Sequence, residues 1–203
     1  MAQEALVHVI DDDEAMRTSL SFLLAACGLP ARTYESPTGF LDIAPTLNAG
    51  CIITDVRMPE MNGLELVRRV RAMSVRLPII VITGHGDVPL AVEAMKAGAA
   101  EFLEKPFVDE VLLAAVREAL KPPATGCGQL QPRLDNLSVR ERQVLERLVA
   151  GHSNKLIGRD LGISDRTVEI YRAKVMDKME AETFAELVRM AMKASITADS
   201  IDS

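Results

Sequence analysis

Short apolar runs alternate with amphipathic stretches through the first 120 residues of the chain. The run at 79–82 is apolar on both faces, which is typical of a buried parallel strand. Strands are predicted at 6–10, 31–34, 51–54, 79–82 and 101–103. Helical spacing predicts a helix after each strand, at 16–27, from 36 onward, and over 64–73, 88–97 and 108–120. Five β-α units predict an α/β fold with a doubly wound, five-stranded parallel sheet.

The pattern changes after Lys121, where prolines and glycines interrupt helical spacing and predict a linker over 122–134. Beyond the linker only helical patterns occur. Ser138 and Glu141 have the spacing of a capping box at the start of a helix. Further helices are predicted over 154–161, 164–179 and 183–195. We therefore expect an α/β domain at 1–121 and a small all-α domain at 135–203.

Composition favours a folded cytoplasmic protein. The hydrophobic fraction of 48% is sufficient for packed cores and argues against global disorder. Three scattered cysteines are too few for a disulfide scaffold or a zinc site, and they fit a reducing compartment. No basic stretch precedes the first apolar residues, and no apolar run approaches the ~18 residues of a membrane span.

Charge is unevenly distributed along the chain. Residues 1–121 contain 11 Lys and Arg against 17 Asp and Glu, a net charge of −6, whereas the remaining residues contain 12 of each. Within this balanced part, residues 154–178 contain six basic and four acidic residues. An acidic domain joined to a locally basic helical segment indicates two separate roles.

Polar and charged side chains follow four of the predicted strands. Asp11 and Asp12 follow the first strand, Asp55 the third, Thr83 the fourth, and Lys105 comes soon after the fifth. Because ligands of open parallel sheets bind at the carboxyl ends of the strands, these groups are expected to share one crevice. Clustered carboxylates repel one another, and Mg²⁺, which prefers oxygen ligands, would remove that cost. Asp55 would then be a nucleophile toward a phosphoryl group, with Lys105 as its resting partner.

Each of these features alone also fits a turn, a helix cap or a surface loop; their joint placement favours the shared site. A metal-dependent phosphatase is a second interpretation of a nucleophilic Asp55. That class needs an acid/base carboxylate two residues further on, where this chain has Arg57.

The motifs VIDDDEAMR, CIITDVRMPEMNG, IIVITGHGD and FLEKPF, in this order, resemble the receiver domain of two-component response regulators over residues 4–121. The resemblance implies that Asp55 is the phosphoacceptor. It implies a Mg²⁺ site formed by Asp11, Asp12, Asp55 and the backbone carbonyl of Arg57. It also implies that three residues sense the phosphoryl group: Thr83, Lys105 and the aromatic switch residue Phe102.

The segment LSVRERQVLERLVAGHSNKLIGRDLGISDRTVEIYRAKVMDKM, residues 137–179, resembles the LuxR-type helix-turn-helix domain. Apolar residues of its second and third helices form one predicted seam: Leu156, Ile157, Leu161, Ile163, Val168, Tyr171, Val175 and Met179. The opposite face of the third helix would lie in a major groove, and basic side chains would contact phosphates. Glu169 and Ala173 stand where some members have Lys, and Glu169 would accept from a cytosine amine. The expected DNA-binding residues are Lys155, Arg166, Thr167, Glu169, Arg172, Ala173, Lys174 and Lys178.

The two motif sets together resemble response regulators of the FixJ type, which control oxygen-responsive genes of microaerobic growth and nitrogen fixation. The resemblance implies a phosphodonor sensor histidine kinase, a homodimer formed on phosphorylation through the fourth helix and fifth strand, double-stranded DNA, and RNA polymerase as a further partner. It implies a transcription activator, with self-catalysed phosphoryl transfer and dephosphorylation as its only chemistry. A protein-docking regulator that binds no DNA is a third interpretation, and salt-dependent DNA binding separates it from the DNA-binding regulator.

Overall fold

The computed structural model describes residues 6–84, 87–121 and 130–194. These residues form two compact units, an α/β unit and an all-helical unit. The predicted linker residues 122–129 and the predicted end of the last helix at 195 lie outside the described residues. Within the described ranges, no helix is both long enough and apolar enough to cross a membrane.

The sheet has the predicted topology. All neighbouring strands are parallel, and their order is β2-β1-β3-β4-β5. This confirms a doubly wound, five-stranded sheet whose order reverses between β1 and β3. The strands β1 to β5 are Val7–Ile10, Ala31–Tyr34, Cys51–Asp55, Ile79–Thr83 and Glu101–Glu104.

A helix follows each strand, as the sequence predicts. Helices α1 to α5 are Glu14–Ala26, Pro37–Leu41, Gly63–Ala72, Val88–Ala97 and Asp109–Leu120, with a 3-10 turn at Ala44–Thr46. Asp13 begins α1, since its side chain accepts from the backbone N–H groups of Ala15 and Met16. Gly28, in the left-handed conformation with a φ of 72°, follows the last turn of α1.

The two faces of the sheet carry different side chains because successive residues of a strand point in opposite directions. Val7 and Val9 of β1 belong to a buried cluster with Leu20 and Leu24 of α1 and Val116 of α5. This cluster fixes β1 between the two helices, and the acidic triplet follows its last residue, Ile10.

On the other face, His8 is buried beside the aromatic rings of Tyr34 and Phe40. The His8 Nδ1 atom lies 3.0 Å from the Tyr34 hydroxyl oxygen. Burial and the nearby Arg32 cation lower the pKa of His8. His8 is therefore a neutral core residue and takes no part in the strand-end site.

The helical unit contains one helix that the sequence did not predict. Helices α6 to α10 are Leu130–Asp135, Val139–Ala150, Asn154–Leu161, Asp165–Met179 and Phe184–Lys193. Helix α6 overlaps the predicted linker, 122–134, over residues 130–134. Its Leu134 is buried with Leu145 and Val175, and the Leu134 carbonyl accepts from the Arg142 guanidinium at 3.0 Å. The linker prediction is therefore corrected at its carboxyl end, because residues from Leu130 onward belong to the helical unit.

The predicted seam of α8 and α9 is split between two buried clusters. Ile157 and Val168 pack with Val144 and Leu148 of α7. Val175 and Met179 pack instead with residues of α6, α7 and α10. Helix α9 therefore has a buried stripe along its whole length, which leaves its opposite face to solvent.

Candidate functional site

Two buried carboxylates meet where the strand order reverses. Asp11 directly follows β1 and Asp55 ends β3, and β1 and β3 are neighbours in the sheet. Asp11 is 4% exposed and Asp55 is 8% exposed. Placing two such groups away from water is unfavourable unless a cation compensates them.

Lys105 supplies that cation. Its Nζ atom lies 2.7 Å from Oδ1 of Asp55 and 3.3 Å from Oδ2 of Asp11. The Lys105 backbone N–H donates to the carbonyl of Thr83 at 2.7 Å, so the end of β4 positions the residue. Burial alone would lower the pKa of Lys105, but the hydrogen bond to Asp55 and the charges of both carboxylates outweigh burial and raise it. Lys105 is therefore a charged bridge between the two acids.

The three aspartates that follow β1 lie in different environments. Burial is the largest influence on Asp11 and raises the pKa of its carboxyl group, although the Asp13 N–H and Lys105 act in the opposite direction. Asp12 is exposed, and the Asp13 side chain caps α1. The triplet thus divides into a buried acid, an exposed acid and a helix cap. The cap signal, an Asp before the acidic first turn of a helix, was present in the sequence.

Asp55 is held by the turn that follows β3. Its Oδ2 atom accepts from the backbone N–H of Arg57. Gly63, the first residue of α3, comes so close that a Cβ there would lie 2.1 Å from the Asp55 carbonyl oxygen. The Gly63 N–H donates to the Val56 carbonyl at 2.9 Å. Gly63 is therefore a site residue, and close backbone approach is a property that the sequence pattern alone did not reveal.

The other predicted receiver residues take different positions. Thr83, at the end of β4, is 1% exposed. Phe102 is half-buried on β5, opposite Val81 of β4. Over the described residues, no group of three or more His, Cys, Asp or Glu side chains lies close enough together to hold a metal ion. The predicted oxygen donors are nevertheless chemically suited to Mg²⁺, since two of them are carboxylates that share one cation here.

In the helical unit, α9 presents a polar face to solvent. Arg166, Glu169, Ala173 and Lys174 are exposed, as is Lys155 of α8. Thr167 is half-buried, and its hydroxyl oxygen lies 2.8 Å from the Ser164 hydroxyl oxygen at the cap of α9. Thr167 is thus partly committed to starting the helix.

Two predicted DNA-binding residues serve contacts inside the helical unit. The Arg172 guanidinium lies over the Phe184 ring, 4.4 Å from its centroid, and burial lowers the pKa of Arg172. Lys178 donates to Oε2 of Glu141 at 2.7 Å and to the carbonyl of Asn136 at 3.1 Å. Arg172 and Lys178 therefore have partners within the helical unit, and their assignment to the DNA interface stays a prediction.

The DNA-binding residues predicted from the sequence do not include Ile170. Its side chain is 51% exposed on the same face as Glu169 and Ala173. The signal was available, since Ile170 falls outside the helical spacing of Val168, Val175 and Met179.

Comparisons with known proteins agree with this architecture. Residues 7–117 match the response regulator receiver domain, and residues 135–191 match the bacterial regulatory proteins of the luxR family. The chain is 54% identical over 202 residues to transcriptional regulatory protein FixJ of Azorhizobium caulinodans, covering 97% of this chain and 96% of that one. It is 49% identical to FixJ of Bradyrhizobium diazoefficiens, covering 98% and 100%. A crystal structure of full-length FixJ from B. japonicum is 50% identical, covers 96% of this chain and 99% of that chain, and has a TM-score of 0.56. The chain therefore belongs to the FixJ-type response regulators of two-component systems, which join a receiver domain to a LuxR-type DNA-binding domain.

Proposed function

We propose that phosphorylation of Asp55 switches the DNA binding of this regulator on. The observation that supports this most directly is the Lys105 bridge between Asp11 and Asp55. A carboxylate that is buried at a strand end, yet has one oxygen on a movable ammonium, is suited to nucleophilic attack. An Asp55 oxygen attacks the phosphorus of a phosphohistidine on a sensor kinase, the phosphorus–nitrogen bond breaks, and the histidine nitrogen leaves with the electron pair. Lys105 then pairs with the new phosphoryl oxygens.

We place Mg²⁺ at Asp11, Asp12, Asp55 and the carbonyl of Arg57. When bound, the ion neutralises the phosphoryl oxygens so that an anionic carboxylate can approach them. Asp11 and Asp55 keep their orientation through the backbone N–H groups of Asp13 and Arg57. The chemistry of the chain is then limited to phosphoryl transfer onto Asp55 and hydrolysis of the product.

After transfer, Thr83 contacts the phosphoryl group and Phe102 responds by changing its packing. Both lie on the strands next to α4 in the chain, which supports a change in the surface formed by α4 and β5. We propose that this surface forms a homodimer. Dimerisation raises the effective concentration of the second DNA-binding domain at the second half-site, so phosphorylation and DNA affinity are coupled.

The proposed DNA interface is the exposed face of α9 together with Lys155 of α8. Lys155, Arg166 and Lys174 contact phosphates, and Thr167, Glu169 and Ala173 approach the bases. Arg172 and Lys178 are left out because they contact Phe184 and Glu141. The domain boundaries we propose are 1–121 for the receiver and 130–203 for the DNA-binding domain.

The FixJ relatives are named transcriptional regulatory proteins. We propose that this chain activates oxygen-responsive genes, those of microaerobic growth or nitrogen fixation. Such a role requires RNA polymerase as a partner and a cytoplasmic location, where DNA and the kinase are both accessible.

The test is a DNA-binding titration of the full-length protein with Mg²⁺ and a small-molecule phosphodonor, followed by footprinting on genomic fragments. Phosphorylated wild type should gain one phosphoryl group by intact mass and protect discrete sites. Asp55→Asn should show neither change. Equal protection by wild type and Asp55→Asn under these conditions would contradict the proposed switch.

A further inference from the structure

The exposed face of α9 has an unusual composition for a helix that enters DNA. At 100° per residue, Ala173 lies between Glu169 and Ile170 on the helix surface. All three are exposed, and they occupy the middle turns of α9. Two exposed cations of this helix, Arg166 and Lys174, lie before and after them, while Arg172 is half-buried against Phe184. The centre of the face therefore carries one carboxylate and two apolar side chains.

Glu169 is the informative member of this group. Within residues 130–194, the Glu169 side chain has no hydrogen bond or salt bridge. Its charge opposes the burial that lowers the pKa of Arg172. The fold therefore does not require this carboxylate. Near DNA phosphates an acid is repelled, and that cost is offset only if the acid accepts a hydrogen bond from a base.

Among the major-groove edges, cytosine suits a carboxylate. Its N4 amine is a donor, whereas guanine presents two acceptors and adenine places the N7 acceptor beside its amine. Glu169 accepting from cytosine N4 is therefore the favourable pairing. Repulsion from guanine and thymine acceptors would add discrimination against them.

Ile170 and Ala173 offer only apolar contacts. The major-groove edge of thymine carries the C5-methyl group, the one large apolar group available there. Half of the Ile170 surface is exposed to water in the free protein, so packing against a thymine methyl would bury apolar area from both partners.

We propose that α9 recognises its half-site through pyrimidine edges: a cytosine amine bound by Glu169, and thymine methyl groups packed against Ile170 and Ala173. This inference rests on the proposed DNA-binding function and names the bases that it requires. Glu169 and Ala173 are four residues apart, about 6 Å along the helix, which corresponds to roughly two base-pair steps of about 3.4 Å. The recognised cytosine and one thymine therefore lie about two steps apart.

The experiment starts from duplexes selected from random DNA by phosphorylated full-length protein. In the selected duplex, each cytosine is replaced singly by 2-pyrimidinone, which lacks the amine, and each thymine by uracil, which lacks the methyl group. For wild type, one amine deletion should weaken binding about tenfold. One or two methyl deletions should weaken it about fourfold each.

The protein variants identify which side chain makes each contact. The amine deletion should weaken DNA binding by the Glu169→Ala variant less than about twofold. For Ile170→Ala, one of the methyl deletions should no longer weaken binding. Glu169→Gln should shift the selected base from cytosine to adenine, because Gln pairs with adenine through its amine and N7. Matched controls are Glu182→Ala and Val139→Ala, which remove exposed side chains of the same type away from α9 and should keep every wild-type response.

Two results would overturn the inference: selected sites that contain no cytosine near a thymine, or a Glu169→Ala variant that still loses tenfold on amine deletion. Selection of no DNA by the phosphorylated wild type would instead overturn the proposed function itself. These failures are distinguishable because the first two require specific DNA binding to be present.

Discussion

Asp11 combines a buried carboxyl group with a proposed role in Mg²⁺ binding. Its carboxyl pKa is raised mainly by burial, so the folded state favours the protonated form more than the unfolded state does. As pH rises above the ordinary aspartate range, ionisation therefore reduces stability. Asp11 accordingly weakens the metal-free receiver at neutral pH.

Replacing Asp11 by Asn should relieve this cost. An Asn oxygen can still accept from Asp13, and Lys105 keeps its 2.7 Å bond to Asp55. We expect the unfolding temperature without Mg²⁺ to rise by up to about 5 °C at pH 7, with the gain vanishing below about pH 3.8, and Mg²⁺ affinity to fall strongly. Asp12→Asn, at an exposed position, should weaken Mg²⁺ binding with little change in unfolding temperature. A sharp fall for Asp11→Asn would show that Asp11 serves the fold instead.

Glu141 and Lys178 form a second charged contact, and it belongs to the fold. The hydrogen bond from Lys178 is the largest influence on Glu141, and the Ser138 N–H adds to it, so the pKa of Glu141 falls to about 2. A lowered pKa stabilises the folded state at pH values above the ordinary pKa of glutamate. This stability is lost as the pH falls from about 4.5 toward 2.

Lys178→Ala should therefore lower the unfolding temperature of the full-length protein at pH 7. The decrease in unfolding temperature should be smaller near pH 3. Because Lys178 is not among the proposed phosphate contacts, the salt dependence of DNA binding should stay unchanged. Lys155→Ala, at an exposed position, should instead reduce the slope of log affinity against log salt by about one without affecting stability. A reduced slope for Lys178→Ala would return that residue to the DNA interface.

At the scale of the elements, the junction between β3 and α3 determines where Asp55, the proposed phosphoacceptor, lies. Asn62 caps α3 by accepting from Glu65, and the Gly63 N–H bonds to Val56 directly after the strand. The helix start is thereby fixed against the backbone of Asp55. A side chain at Gly63 would have to displace backbone atoms, which cannot move away as a flexible side chain can.

Gly63→Ala should lower the free energy of unfolding by about 1–3 kcal/mol, as overpacked sites do, and should slow phosphorylation of Asp55. Gly39→Ala is the matched control, because a Cβ there meets only the Ser36 hydroxyl at 3.7 Å. In helix α2 that change should be neutral or stabilising by up to about 1 kcal/mol. Denaturant unfolding and the rate of mass gain with a small phosphodonor measure both effects, and identical behaviour of the two variants would contradict the role assigned to Gly63.

The elements themselves were predictable because local pattern and fold agree. The apolar strand at 79–82 and the capping box at Ser138 appear in the structure nearly where the sequence places them. The carboxylates and the lysine of the site were also predictable, since they follow directly from strand ends. Contacts between distant positions were not: Arg172 lies on Phe184, Lys178 bonds to Glu141, and α6 packs on α7 and α9. Each of these depends on which helix faces which, and that is information that periodicity within one helix does not contain.

For the whole molecule, the unequal distribution of charge between the two halves suggests that the receiver also regulates DNA binding directly. Residues 1–121 carry a net charge of −6, whereas 154–178 carry six basic and four acidic residues. The eight residues 122–129 that separate the described ranges can reach at most about 30 Å. We infer that the acidic receiver attracts the basic segment of the same chain and competes with DNA for it, more strongly at low salt.

We accordingly predict that the unphosphorylated receiver reduces DNA binding by the helical domain. The fragment 130–203 retains α6, whose Leu134 belongs to the buried cluster of the helical unit, and should therefore fold. At concentrations where full-length protein is monomeric, this fragment should bind a single half-site more tightly than the unphosphorylated whole, and the difference should shrink as salt screens the attraction. Fluorescence anisotropy with a half-site duplex at two salt concentrations measures both quantities. If fragment and whole bind with equal affinity at low salt, the receiver has no inhibitory role, and dimerisation alone accounts for the switch.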